Sequence, residues 1–146
     1  MKIFDCFMFY DEDLVIDLRL NILNEHIDEF VIVESKFTHS GKKRELLFDI
    51  NKYSKFKNKI NYIVLENEPV DLERVHDNDT DDKKNSKYIM NALKRENYQR
   101  NGIKKGLTNA NPDDLILISD VDEIPNLSNI DINKVNNDII LFKQNF

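Results

Sequence analysis

The sequence predicts an α/β fold: a largely parallel sheet with helices on its faces. Three observations carry that expectation. Short apolar runs recur along the chain, at Ile3 to Phe9, Phe30 to Val33, Ile60 to Leu65 and Leu115 to Ile118. Nearly unbroken runs of this kind suit strands buried on both sides, as in parallel sheets covered by helices. Between them lie segments of helical period, which gives the alternation that α/β sheets require. Two of the runs end in acids, Glu34 after the second and Asp120 with Asp122 after the fourth. Ligands of α/β sheets gather beyond the carboxyl ends of the strands.

The elements follow in order. Asp11 or Asp13 can cap a helix running to about Glu25, with Leu14, Leu18 and Ile22 as its apolar stripe. Phe37 to Arg44 reads as a polar loop around Gly41, and Leu46 to Phe56 fits neither helix nor strand clearly. Glu68 to Asn85 is acidic and poor in hydrophobic residues, the composition of a mobile surface loop. Asn85 or Ser86 then caps a long helix to about Leu107. Asn109 to Asp114, with Pro112, is a turn. A fifth strand is expected to open at Asp138 to Phe142.

The 146 residues fit one domain, and 40% hydrophobic with 33% charged residues is a globular composition. The net charge is −6, with Lys and Arg scattered among acids, which argues against a nucleic-acid partner. Cys6 is the single cysteine, so no disulfide forms within the chain, and a reducing, cytoplasmic setting is expected. The apolar start, Met1 to Tyr10, is too short to span a bilayer, so no transmembrane segment is expected.

The chemistry concentrates in Leu115-Ile-Leu-Ile-Ser-Asp-Val-Asp-Glu-Ile-Pro125. A buried strand is followed by three carboxylates within four positions. Like charges this close repel, and a divalent cation would relieve them. Carboxylate oxygens suit Mg²⁺ or Mn²⁺, often shared with substrate phosphates. The competing reading is an acidic turn that ends a strand. On the long helix, Ile89, Leu93, Glu96, Arg100, Ile103 and Leu107 share one stripe. Glu96 and Arg100 interrupt its apolar character, so the pair is either buried or aimed into a cleft, with Arg95 and Gln99 beside it. A solvated i,i+4 pair is the alternative. Glu34-Ser35 with Thr38-His39-Ser40-Gly41 forms a polar loop that could read a base and ribose or be an ordinary turn. Asp77 to Asp81 mimics an EF-hand start, but Asp82 and Tyr88 stand where that loop needs Gly and Glu. No glycine-rich phosphate loop is present, so a phosphate would be gripped through a metal held by acids.

Four segments stand out together: Lys2-Ile-Phe-Asp-Cys-Phe-Met-Phe-Tyr-Asp11, Asp28-Glu-Phe-Val-Ile-Val-Glu-Ser-Lys-Phe-Thr38, Arg95-Glu-Asn-Tyr-Gln-Arg100 and Ser119-Asp-Val-Asp-Glu-Ile-Pro125. In this order they resemble glycosyltransferase family 17, the β-1,4-mannosyl-glycoprotein β-1,4-N-acetylglucosaminyltransferase family. The resemblance implies a GT-A-like, Rossmann-like nucleotide-sugar-binding sheet over residues 1–146, truncated at its C-terminal end. It implies a UDP-sugar donor, a glycan or glycoconjugate acceptor left open in identity, and inverting transfer of N-acetylglucosamine or a related sugar. Asp120 and Asp122 would hold Mn²⁺ or Mg²⁺, with Asp120 also on the donor. Glu34, Ser35, Glu96, Gln99 and Arg100 would complete the donor site, and the base would lie downstream of Phe146, leaving this chain alone inactive. The rivals are a non-catalytic nucleotide-sugar-binding fragment and a metal-dependent nucleotidyl or phosphoryl transferase.

Overall fold

A computed structural model describes residues 1–128, 130, 131, 134 and 139–143. Four strands form one parallel sheet in the order β3-β2-β1-β4. They are β1 (Ile3–Met8), β2 (Glu29–Ser35), β3 (Ile60–Leu65) and β4 (Leu115–Ile118). The long helices are α1 (Asp13–Leu23) and α2 (Asp81–Asn101), and 3-10 turns occupy Ile50–Lys59 and Gly102–Gly106. This is the helix-covered parallel sheet expected from the apolar runs, and it is compatible with a Rossmann-like fold.

Alternation along the strands sorts the core into two layers. Phe7, Phe30 and Ile32 face α1 and the 50–59 segment, where Ile16, Leu20, Leu23, Phe48, Tyr53 and Phe56 meet them. Phe4, Cys6, Val31 and Val33 face the other side, against Leu65 and Ile103. Burial of a large apolar side chain contributes about 1.5–3 kcal/mol, so both layers hold the sheet. Cys6 is one of these core groups. Burial, aided by the charge of Asp5, pushes its thiol up to about 12, so it is no nucleophile at neutral pH.

Four expectations require correction. The stripe of α1 at Leu14, Leu18 and Ile22 faces solvent, at 82, 53 and 50% exposure. The buried face is Ile16, Arg19, Leu20 and Leu23. Both sets have helical spacing, and the choice between them was made by Arg19, whose partner Asp5 lies inside the sheet.

The second correction concerns α2. Its cap is Thr80, whose hydroxyl accepts from the Lys83 N–H, rather than Asn85 or Ser86. It yields to a 3-10 turn at Gly102, because this stretch packs directly on the sheet. A Cβ at Gly102 would sit 2.9 Å from Leu65 Cδ1, and one at Gly106 2.3 Å from Val31 Cγ1.

Third, the segment before α2 is fastened rather than loose. Asn91 both donates to and accepts from the backbone of Glu73, at 2.8 and 2.7 Å. Lys87 reaches Asp79 and the Arg74 carbonyl, and Arg95 pairs with Glu68 at 2.5 Å. Fourth, Ile139 to Phe142 are not in a strand and are exposed, having no ladder partner among the described residues; Asp138 lies outside those residues.

The close approach at Gly106 gives a direct test. Gly106→Ala is expected to destabilise the fold by about 1–3 kcal/mol, because the stiff, fully buried Val31 side chain must shift. Urea unfolding measures it, and an unchanged midpoint would contradict this packing.

Candidate active site

In the strand order β3-β2-β1-β4, successive connections run outward from β1 until the chain returns to its other side for β4. Loops leaving β1 and β4 therefore diverge, which opens a crevice at their carboxyl ends. A cleft of about 630 Å³ occupies that place. Its walls are Met8 to Tyr10 and Glu12 after β1, Ser35 and Phe37 to His39 with Arg44 after β2, Asp120 to Asp122 after β4, and Glu96, Gln99 and Arg100 from α2.

The turn after β4 carries two exposed carboxylates into the cleft, those of Asp120 and Asp122. Arg100 Nη2 donates to Asp120 Oδ1 at 3.2 Å and lies 3.5 Å from Glu96 Oε1. Glu96 and Arg100 thus face the cleft, half exposed at 39% each, and are not buried. Gln99, one turn on, donates to the Phe37 carbonyl at 2.9 Å and meets His39 Nε2 at 3.0 Å. It joins α2 to the loop after β2. Ser35 lines the cleft and accepts from the Phe37 N–H at 3.1 Å.

Two sequence readings change here. Glu34 does not reach the cleft. It is fully buried, and its carboxylate accepts from the Leu47 and Phe48 N–H groups at 2.8 and 3.1 Å and from the Tyr62 hydroxyl at 2.6 Å, and pairs with Arg44 at 3.0 Å. Burial and that hydrogen bond push the Tyr62 phenol well above its ordinary value. Every lone pair of Glu34 is occupied within the protein, so the residue holds the 36–48 loop rather than a ligand.

The three acids of the turn also do not all face the cleft. Glu123 turns back and accepts from the Asp120 N–H at 3.1 Å, and Arg100 stands beside Asp120. Only two acids of the turn remain on the cleft wall, and among the described residues no group of three or more His, Cys, Asp or Glu could hold a metal. Two hard oxygen donors still suit Mg²⁺ or Mn²⁺, which take one or two carboxylates plus substrate phosphates.

Sequence reasoning missed two arginines. Arg44 donates to the Ser35 carbonyl at 3.1 Å and to that of Tyr10, and its guanidinium lies 4.3 Å from the Tyr10 ring centroid. It links the buried Glu34 to the cleft mouth. Arg19 is fully buried and binds Asp5 through two N–H groups, at 2.8 and 2.7 Å. The available signal was Asp5 itself, a carboxylate within an apolar strand that must find a partner once buried.

The family model for glycosyltransferase family 17 matches residues 1–142. The chain belongs to glycosyltransferase family 17. No curated protein and no solved structure matches it. Membership makes this family 17 chain a glycosyltransferase, with a sugar donor and an acceptor as its substrates. Among the described residues no helix is long and apolar enough to cross a membrane.

The contrast between the two glutamates is measurable by urea unfolding. Glu34→Ala is expected to cost about 3–5 kcal/mol, since it strands Arg44, the Tyr62 hydroxyl and two backbone N–H groups, that of Phe48 buried. Glu96→Ala is expected to cost no more than about 0.5 kcal/mol, because its pair with Arg100 is half exposed. Equal losses would refute these placements.

Proposed function

We propose that this family 17 chain carries the donor site of a metal-dependent, inverting glycosyltransferase of GT-A-like fold. The donor is a UDP-sugar, N-acetylglucosamine or a related sugar is transferred, and the acceptor is a glycan. The observation that carries this reading is one cleft at the sheet's switch point, with Asp120 and Asp122 on one wall and Arg100 beside them. Acids alone would repel a diphosphate. A divalent cation, Mn²⁺ or Mg²⁺, supplies the bridge when bound and offsets the charge that develops on the leaving diphosphate.

The chain's own groups divide the remaining work. Asp120 and Asp122 provide the hard oxygen ligands. Arg100 holds Asp120 from α2 and adds a fixed positive charge near where the diphosphate would lie. Ser35, Thr38 and His39 offer polar groups on the opposite wall for the nucleoside, and Gln99 keeps that loop on α2. Inversion needs a base at the acceptor hydroxyl, and none of these groups is assigned to it.

Asp122→Ala is expected to abolish Mn²⁺-dependent UDP binding while changing stability little, because the side chain is exposed. Calorimetry with UDP and Mn²⁺ tests it, and unchanged affinity would overturn the site. ATP and CTP in the same titration separate a sugar-nucleotide site from a nucleotidyl-transfer site. Mn²⁺ with UDP should also raise the melting temperature, since a ligand of the folded state alone stabilises it.

A further inference from the structure

The Asp120–Asp122 turn is held by very little of the sheet. β4 is four residues long, lies at the sheet edge, and its ladder ends with Ser119 N–H to the Cys6 carbonyl at 3.4 Å. Within the turn only Glu123 N–H to the Asp120 carbonyl and Ile124 N–H to the Asp122 carbonyl, both 3.1 Å, close the backbone. Beneath it sits Arg19. Its Nη1 group donates to the carbonyls of Asp120, Val121 and Glu123 at 2.8, 3.1 and 3.2 Å. Its Nη2 group donates to Ser119 Oγ at 2.7 Å, and that hydroxyl donates onward to the Glu123 carbonyl at 3.0 Å.

All donors of the guanidinium are therefore spent on two things: the Asp5 carboxylate and this one turn, through its carbonyls and the Ser119 hydroxyl. Asp5 neutralises the charge, so Arg19 acts on the cleft by geometry and not by its field. Phe7 closes its face at 4.7 Å. Three carbonyls converge on one buried cation; without it those of Asp120 and Glu123 would keep only the Glu123 N–H and the Ser119 hydroxyl, and that of Val121 would lose the partner it has among the described residues.

We propose that Arg19, held by Asp5, is a positioning residue for the transfer, fixing the 119–123 turn so that Asp120 and Asp122 present their carboxylates together. The proposal rests on the reading above that these two acids meet the cation and diphosphate. Lysine cannot replace Arg19, because an ammonium is a point charge with three donors and no planar fork.

The full chain is tested as Arg19→Lys, Ser119→Ala and Leu20→Ala. Leu20 is buried on the same face of α1, belongs to the core and controls for lost stability. Two readouts are taken well below each melting temperature: UDP affinity in Mn²⁺, and hydrogen exchange of the Glu123 and Ile124 amides relative to β1 and β2. Arg19→Lys is expected to weaken UDP binding about 10–100-fold, the usual cost of removing a partner that orients metal ligands. The turn amides should exchange faster while β1 and β2 keep their protection. Ser119→Ala should show a smaller change in both, and Leu20→Ala should bind UDP like the unaltered chain. Unaltered affinity and exchange in Arg19→Lys would overturn the proposal, as would an equal affinity loss in Leu20→Ala. If Arg19→Lys does not fold, Ser119→Ala decides by the same criteria. If the unaltered chain binds no UDP, the reading of Asp120 and Asp122 fails, and the exchange measurement still decides whether Arg19 fixes the turn.

Discussion

Arg19 and Asp5 form a fully buried ion pair, and the half of the molecule that carries the cleft is arranged around it. Taking two charges out of water is costly, and the pair survives only because each remaining donor also finds an acceptor. Those acceptors come from a segment a hundred residues away in sequence, the turn that ends β4. One interaction therefore sets the rotation of α1 on the sheet and the path of the chain into the cleft. The face of α1 that carries Arg19 also carries Ile16, Leu20 and Leu23, so turning it inward buries three large apolar side chains and satisfies the guanidinium as well, leaving Leu14, Leu18 and Ile22 in solvent.

The opposite wall uses the same kind of device. Glu34, at the end of β2, is buried with Arg44 and Tyr62 and takes two backbone N–H groups of the loop that returns past it. Arg44 then carries the connection outward to Tyr10. Each wall is thus a polar turn anchored from within by a carboxylate and an arginine. Glycine has its own places. Gly41 takes a positive φ of 87° in the loop after β2, under the Arg95 guanidinium, and Gly102 and Gly106 let the chain after α2 approach β2 and β3. The ion pairs lie beneath the cleft walls, while the groups on its surface, Asp120, Asp122, Glu96 and Arg100, stay partly exposed.

α2 contributes to both the polar strap and the cleft, at different ends. Its N-terminal half is held by the strap of residues 68–80 through Lys87, Asn91, Lys94 and Arg95. Its C-terminal half delivers Glu96, Gln99 and Arg100 to the cleft before the 3-10 turn docks on the sheet. A polar strap fastened by lysines to backbone carbonyls needs few hydrophobic residues, which is why composition alone read it as loose.

By itself the sequence determined the four strands, the buried character of β1 and β2, the α/β class, the acids at the carboxyl end of β4 and the polar group Glu96, Gln99 and Arg100, because each is written in local pattern; the outer strands β3 and β4 are only partly buried. Apolar runs report burial on both faces, and i,i+3 and i,i+4 spacing reports a shared helix face. Tertiary structure decided what local pattern leaves degenerate. Two stripes of α1 had helical period, and only the position of Asp5 chose between them. Glu34 looked like a ligand group at a strand end, but whether such a carboxylate faces a cleft or a loop's amide groups depends on where residues 44–62 return. Asp120, Asp122 and Glu123 are crowded in sequence, yet in space Arg100, remote along the chain, stands beside Asp120, and Glu123 turns back onto the Asp120 N–H. Charge is read over distances of a few ångströms, and those distances are set by the fold.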